Sequence, residues 1–274
     1  MDPFVLKEKE YFSLPNWVQK FPDLAVGFTT KNGGNSKAAF DSLNMGFHVK
    51  DPAQIVCENR QIVAEKLTFP IQNWVGAQQT HEINIKKISK HDKGYGAMNY
   101  ETAFNHIDGF YTFEHDILLT LCFADCVPIY FLHGESRAIG IAHAGWKGTV
   151  GGIAAEMIRK FQSEGIGASE ISVVIGPSIC ENCYIVDDYV INLVHNKLED
   201  VVILPYNEIS AHQYQLNLKE CNRLFLIKAG VPPENIQVTN LCTSCQTEHF
   251  YSHRRDQGKT GRMIGFIGWK ETNL

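Results

Sequence analysis

Ala124-Asp125-Cys126 and, further along, His143-Ala144-Gly145-Trp146-Lys147-Gly148-Thr149 each stand at the edge of an apolar run, and each offers a side chain able to do chemistry. A third candidate, His81 in Gln78-Gln79-Thr80-His81, closes the apolar stretch around Trp74 and Val75. Two imidazoles and one thiolate are borderline ligands suited to zinc, and three protein ligands leave one corner of a tetrahedron for water or substrate. Such an ion would hold Cys126 as thiolate and lower the pKa of a bound water towards roughly 7, chemistry that suits hydrolytic deamination. A second reading makes Cys126 a nucleophile with His143 as its base, as a cysteine hydrolase needs. Metal content separates the two. Spacing alone leaves a third option, in which the three residues are unrelated core or surface positions.

Asp108, before Gly109, and Asp125, beside the cysteine, could orient an imidazole or move a proton. Asp-Gly is a frequent turn pair and Asp125 separates two apolar runs, so structural roles are the expectation for both. Gly145 to Thr149 opens a helix whose free amides could take a phosphate, or it is simply a tight strand-to-helix turn; it is not a P-loop. Arg254, Arg255, Lys259 and Arg262 could clamp phosphate, but a solvated basic surface accounts for most of them. Cys180 with Cys183 and Cys242 with Cys245 have the short spacing of a zinc clip. The roughly 60 residues between the pairs exceed the spacing of compact zinc modules, and buried free thiols are expected instead. The zinc-deaminase signature of His-x-Glu with Pro-Cys-x-x-Cys is absent, since Glu82 directly follows His81 and Leu241 precedes Cys242.

The elements that must present these residues alternate in type. Ile117 to Phe123, Val127 to Leu132 and Ala138 to Ala142 read as buried strands, the last stopping where His143 begins. Ile171 to Ile175 reads as another strand, and Gly258 to Gly261 as a turn before the strand Met263 to Trp269. Asp51-Pro52 predicts the cap and first turn of a helix carrying Ile55, Ile62, Val63 and Leu67 on one face. Thr149 is expected to cap a helix with an apolar stripe of Val150, Ile153, Met157, Ile158 and Phe161, ended by Gly165 and Gly167. Tyr189, Leu193, Val194 and Leu198 suggest a further helix, and Leu218, Cys221 and Phe225 one more, closed by Gly230 and Pro232. Strands and helices in this mixture predict an α+β fold, with mixed sheets layered by helices. No linker, repeat or low-complexity segment divides residues 1–274, so one domain is expected.

A chain of 274 residues with 44% hydrophobic content and 20% charge can bury a large core. A net charge of -5 gives no general attraction for nucleic acid or an anionic membrane, and small-molecule chemistry is the better default. The first residues lack the basic start and apolar core of a secretory signal, and the run Ile117 to Leu132 falls short of the roughly 20 apolar residues of a membrane span. Neither nucleic acid nor membrane is expected as a partner. The eight cysteines are expected as reduced thiols in the cytoplasm.

Taken together, Gln79-Thr80-His81, Asp108-Gly109, Ala124-Asp125-Cys126-Val127-Pro128, His143 to Thr149, Gly176-Pro177-Ser178-Ile179 with Cys183-Tyr184, and Ser252 to Asp256 through Gly261-Arg262 resemble the YfiH/YlmD family across nearly the whole chain. That family is described both as laccase-like polyphenol oxidoreductase and as purine nucleoside phosphorylase, with adenosine deaminase and methylthioadenosine phosphorylase activities attributed to members. The resemblance implies zinc, with copper as the alternative, on His81, Cys126 and His143, which also make up the catalytic set. It implies an α+β fold related to that of a deamidase toxin. It further implies phosphorolysis of adenosine, inosine, guanosine and methylthioadenosine, with phosphate as co-substrate and adenosine deamination at the same metal. Thr80 and Glu82 depart from the valine and glycine common in relatives around the first histidine, and His253 stands where an aromatic or basic residue is frequent. Blue-copper oxidation with a trinuclear centre requires paired His-x-His patterns, and none of the eleven histidines forms one. A Cys-His hydrolase and a non-catalytic metal-binding protein are the competing classes.

Overall fold

Along the strand Val127–His133, Ile129 and Phe131 join one buried cluster while Tyr130 and Leu132 join another, the period-2 pattern of a strand covered on both faces. The computed structural model describes residues 2–199 and 201–271. It places this strand in a mixed six-stranded sheet of order Ile236–Val238, Ser172–Ile175, Val127–His133, Ala138–Ala144, Gly109–Thr112, Ile85–Lys87. A second mixed sheet runs Val5–Glu8, Tyr11–Ser13, Leu24–Thr29, Met263–Trp269, Ile117–Phe123, Trp74–Val75. Phe28, Leu119, Leu121 and Ile267 from this sheet meet Phe110, Tyr130, Ile139 and Ile141 from the first in one apolar layer. The Tyr130 hydroxyl crosses the layer to donate to the Gly27 carbonyl at 2.8 Å.

Helices cover the two outer faces, giving the expected α+β arrangement of sheets layered with helices. Ile153–Ser163 and Leu218–Lys228 lie on the first sheet through Met157, Ile158, Phe161, Cys221 and Phe225. They pack against Ala138, Ala142 and Ala144, and Gly140 leaves room for Met157, whose sulfur would lie 3.2 Å from an added Cβ. Small residues at alternate positions of Ala138–Ala144 therefore set how closely the helix layer approaches. On the second sheet, Ala53–Leu67 packs Val63, Ala64 and Leu67 against Leu118, Ile264 and Phe266. Each such large apolar side chain contributes roughly 1.5–3 kcal/mol on burial, so both ends of the layered sheets are firmly held.

Several local expectations are corrected. Asp51 does not cap its helix: buried polar neighbours claim its carboxylate, which accepts from the Ser36 hydroxyl at 2.7 Å and the Asn44 amide at 2.9 Å. Pro52 is the cap residue, and the buried face of the helix includes Asn59 and Arg60, while Ile55 and Ile62 are half-buried. Thr149 is not a cap either. A short helix, Trp146–Gly151, starts directly after Gly145 and buries Thr149, and Gly152, in the left-handed region at φ 87°, turns the chain into Ile153–Ser163. The strand Ala138–Ala144 continues through His143, because His143 still pairs with Pro128. Tyr189 lies outside the core, edge-on to Trp146 with ring centroids 6.0 Å apart, while Val190, Ile191 and Val194 carry the buried face of Asp188–His195.

Candidate metal centre

Strand register brings the chemistry together. The strand Ile117–Phe123 of one sheet passes to Val127–His133 of the other through Ala124-Asp125-Cys126, so the cysteine sits where the chain crosses between layers. Asp125 takes a φ of 86° at this corner. Its carboxylate accepts from the Thr243 and Ser252 hydroxyls and the Arg254 amide at 2.6, 3.0 and 2.7 Å. It is a structural tie, as expected from its position. Ala142 pairs with Gly109, which sets Asp108 beside His143, and the His143 amide donates to the Asp108 carbonyl at 2.7 Å.

Asp108 does more than close a turn, contrary to the sequence expectation. One carboxylate oxygen accepts from His143 Nδ1 at 2.8 Å and the His81 amide at 3.1 Å, and the other accepts from the Thr80 and Glu82 amides at 3.1 and 2.9 Å. Three successive amides, with His81 at φ 63°, thus form a nest around a fully buried carboxylate. With Nδ1 engaged, His143 directs Nε2 at the site, and the same anion fixes the backbone of His81. Burial works against the Asp108 charge, but the His143 imidazole and the Glu82 and Thr80 amides hold its carboxyl below the usual carboxylate range. Gln79 secures the other side of the turn: its amide accepts from the Cys122 N–H at 2.7 Å and donates to the Cys122 carbonyl at 2.9 Å. The Glu82 carboxylate faces Asn84 and His106, so its side chain leaves the turn beside His81 intact.

His81, Cys126 and His143 converge as expected, their ligand atoms all within 4.8 Å of one another and Cys126 Sγ 3.8 Å from His81 Nε2. Burial would raise the Cys126 thiol, but the imidazoles of His143 and His81 lower it to about 6. Burial would lower His143, but the Cys126 sulfur and Asp108 raise it to about 9. Each group thus favours the charged form of the other, the cysteine as thiolate and the imidazole as imidazolium. A soft anionic sulfur and two oriented ring nitrogens at this separation fit one tetrahedral ion with an open corner. Gly145 is needed for close approach: a Cβ there would lie 2.8 Å from His81 Cδ2 and 3.0 Å from Cys126 Sγ. Gly145→Ala is expected to displace a ligand and weaken metal binding roughly 10–100-fold, the range for disturbed ligand support, as measured by chelator competition. Unchanged affinity would mean that the two side chains yield at no cost.

The three residues line a cavity of about 490 Å³, shared with Lys147, Arg254 and Arg262 and with Tyr100, Trp146 and Tyr184. Arg262 is half-buried and gives one nitrogen to the Thr260 and Gly261 carbonyls. Arg254 donates to the Ile185 carbonyl and lies over Tyr184. The basic residues expected on a solvated surface thus divide: Arg254 and Arg262 face the cavity, Lys259 is exposed, and Arg255 holds the Thr243, Ser244 and Phe250 carbonyls. His48, with no motif of its own, also lines the cavity; burial and the nearby Arg262 and Arg60 lower it to about 4, so it is neutral at working pH. Arg60 fixes that wall by donating to the Met45, Gly96 and Ala97 carbonyls.

The family model described as multi-copper polyphenol oxidoreductase laccase matches residues 25–270. The chain belongs to this family. Within it, a Geobacillus stearothermophilus protein named purine nucleoside phosphorylase YlmD is 50% identical over 252 residues, covering 92% of each chain. A Bacillus subtilis protein of the same name is 46% identical over 273 residues, covering 98% of each. The crystal structure of YlmD from Geobacillus stearothermophilus superposes with a TM-score of 0.96 at 47% identity, covering 99% of this chain and 100% of that one. A crystal structure of Bacillus licheniformis YfiH gives 0.93 at 45% identity, over 98% and 100%. The family resemblance and the α+β architecture read from the sequence are thereby established.

Proposed function

We propose that the protein is a purine nucleoside phosphorylase whose His81, Cys126 and His143 hold Zn²⁺, with copper as the alternative ion. The observation that carries this reading is a single cavity lined both by that triad and by Lys147, Arg254 and Arg262. Its volume suits a nucleoside-sized ligand, and relatives named purine nucleoside phosphorylase match almost the whole chain. When bound, the ion supplies Lewis acidity at the open corner. The cationic side chains would hold phosphate on one side of the ribose, so that one phosphate oxygen bonds to C1′ as the bond from C1′ to the base nitrogen breaks. The products are the free base, which takes up a proton, and ribose 1-phosphate, or 5-methylthioribose 1-phosphate where the nucleoside is methylthioadenosine. Tyr184, Tyr100 and Trp146 offer faces for the base, and neutral His48 offers a hydrogen bond without adding a charge that would repel the developing positive ribose. Adenosine, inosine, guanosine and methylthioadenosine are the proposed nucleosides, and hydrolytic deamination of adenosine is assigned to the same site. Eight unpaired thiols suit a reducing compartment, and we place the protein in the cytoplasm. No helix among the described residues is long and apolar enough to cross a membrane.

Incubating metal-replete protein with adenosine or inosine, with and without phosphate, tests the reading. Base release with matching ribose 1-phosphate only when phosphate is present is expected. No turnover, or base release indifferent to phosphate, would overturn it, and ammonia from adenosine without phosphate reads the deaminase arm. The line Asp108, His143, Cys126 also favours a Cys-His hydrolase, whose activity would survive complete removal of metal. Oxidation at a multi-copper centre finds less support. Among the described residues the groups within mutual ligand reach are the His81, Cys126, His143 set and a four-cysteine set, and neither supplies the histidines of a trinuclear site.

A further inference from the structure

We propose that Cys180, Cys183, Cys242 and Cys245 hold a second Zn²⁺ ion, in a closed four-thiolate site that fixes one wall of the cavity. The sequence separation that argues against such a site is bridged by the fold. Ser178 pairs with Cys242, and the Thr243 amide donates to the Ser178 carbonyl at 3.1 Å, so the two short turns lie side by side. Each turn presents two sulfurs, and all four lie within 4.8 Å of one another. Cys245 Sγ is 3.8 Å from Cys180 Sγ and 3.4 Å from Cys183 Sγ. Zinc–sulfur bonds of about 2.3 Å at tetrahedral angles separate sulfurs by about 3.8 Å. The four atoms are therefore nearly in place for one ion, whereas a disulfide requires a sulfur pair to close to about 2.05 Å. An iron–sulfur cluster spreads its four thiolates over two or four irons and so needs sulfurs on different irons further apart than these, all of which lie within 4.8 Å of one another.

Charge and hydrogen bonding agree. Cys242 Sγ accepts from the Cys180 amide at 3.2 Å and the Cys245 amide at 3.4 Å, contacts that favour an anionic sulfur. Four thiolates around a divalent ion leave two negative charges. Buried Lys219 stands opposite: it donates to the Thr239 and Leu241 carbonyls, and its charge faces Cys242, Cys180 and Cys245 as well as Asp2. With four protein ligands the site has no open corner, so its role is structural. What it holds matters to the cavity. Ile179 and Tyr184 flank the first cysteine pair and line the cavity, and Thr243, inside the second, bonds Asp125 beside Cys126. Loss of the ion therefore loosens the wall that carries Tyr184 and Arg254, raising KM more than it lowers kcat.

Zinc content of the purified full chain tests this independently of nucleoside chemistry. In a Cys126→Ala variant, which removes a ligand of the other group, one equivalent of zinc per chain is expected to remain. Adding Cys183→Ser and Cys245→Ser should remove it. The Cys126→Ala protein, which keeps all four thiols of this site, gives a second check: a mercurial that blocks thiols should release its remaining ion to a zinc indicator, and Co²⁺ loading should give the charge-transfer and visible bands of a tetrahedral four-thiolate site. The proposal is overturned if the Cys126→Ala protein carries no zinc, if it binds iron in zinc's place, or if peptides from unreduced protein contain a Cys183–Cys245 disulfide.

Discussion

Replacing Cys126 by alanine is expected to lower kcat/KM for phosphorolysis by roughly a thousandfold or more, because a bound ion supplies several kcal/mol of charge stabilisation and each 1.36 kcal/mol is tenfold. The backbone at this corner should survive the change. Asp125 is held by Thr243, Ser252 and Arg254, and none of these bonds uses the cysteine side chain. Circular dichroism is therefore expected to stay close to the parent, and the thermal midpoint to match that of the metal-free parent, while metal at this group is lost. The variant alone does not separate a metal ligand from a nucleophile, since both roles end with the sulfur. His81→Ala does. It leaves Cys126, His143 and Asp108 in line, so a cysteine hydrolase would keep much of its rate. A metal site loses a ligand and falls with Cys126→Ala. Equal losses in the two variants, each with one equivalent of metal missing, are the expected result, and a His81→Ala enzyme with near-parental activity would end the metal reading.

How far the sequence discloses this site follows from which interactions are local. The strands Ile117–Phe123 and Val127–His133 show as uninterrupted apolar runs because both faces are buried, and the break between them marks the corner bearing Cys126. The helices are legible as stripes, but their starts are not. Asp51 and Thr149 have the chemistry of caps, yet each is drawn into a buried polar network, Asp51 by Ser36 and Asn44 and Thr149 by Asn222. The residues that position the ligands leave still less trace. Asp108 reads as half of an Asp-Gly turn, and only the pairing of Gly109 with Ala142 sets it beside an imidazole 35 positions away. Gln79 substitutes a side-chain amide for a strand neighbour of Cys122, a role that no spacing encodes. Arg60 lies on a face that pattern reading assigns to apolar residues, because its guanidinium is buried against carbonyls supplied by two distant loops. The convergence of the four cysteines is hidden for the same reason: linear distance says nothing about the pairing of Ser178 with Cys242.

Asp108→Asn is expected to weaken metal binding at His81, Cys126 and His143 roughly 10–100-fold, the usual cost of removing a carboxylate that orients a ligating imidazole. Here the loss has two routes, because this carboxylate holds both histidines. Its two oxygens accept four N–H groups, from Thr80, Glu82, His81 and His143. An asparagine has one oxygen, so in either orientation its amide nitrogen faces two of those donors. If the nitrogen turns towards His143 and the His81 amide, the imidazole loses the partner that fixes Nδ1–H. If it turns towards Thr80 and Glu82, the nest opens and His81 moves. Each buried donor left unsatisfied costs about 1–3 kcal/mol, which should also lower the thermal midpoint. Because Asp108 acts through the histidines, excess zinc should restore much of kcat in Asp108→Asn but none in Cys126→Ala, and this contrast separates positioning from ligation. Full metal affinity in Asp108→Asn would show that neighbouring packing, such as Phe123 against the His143 ring at 5.4 Å, suffices to aim the nitrogen.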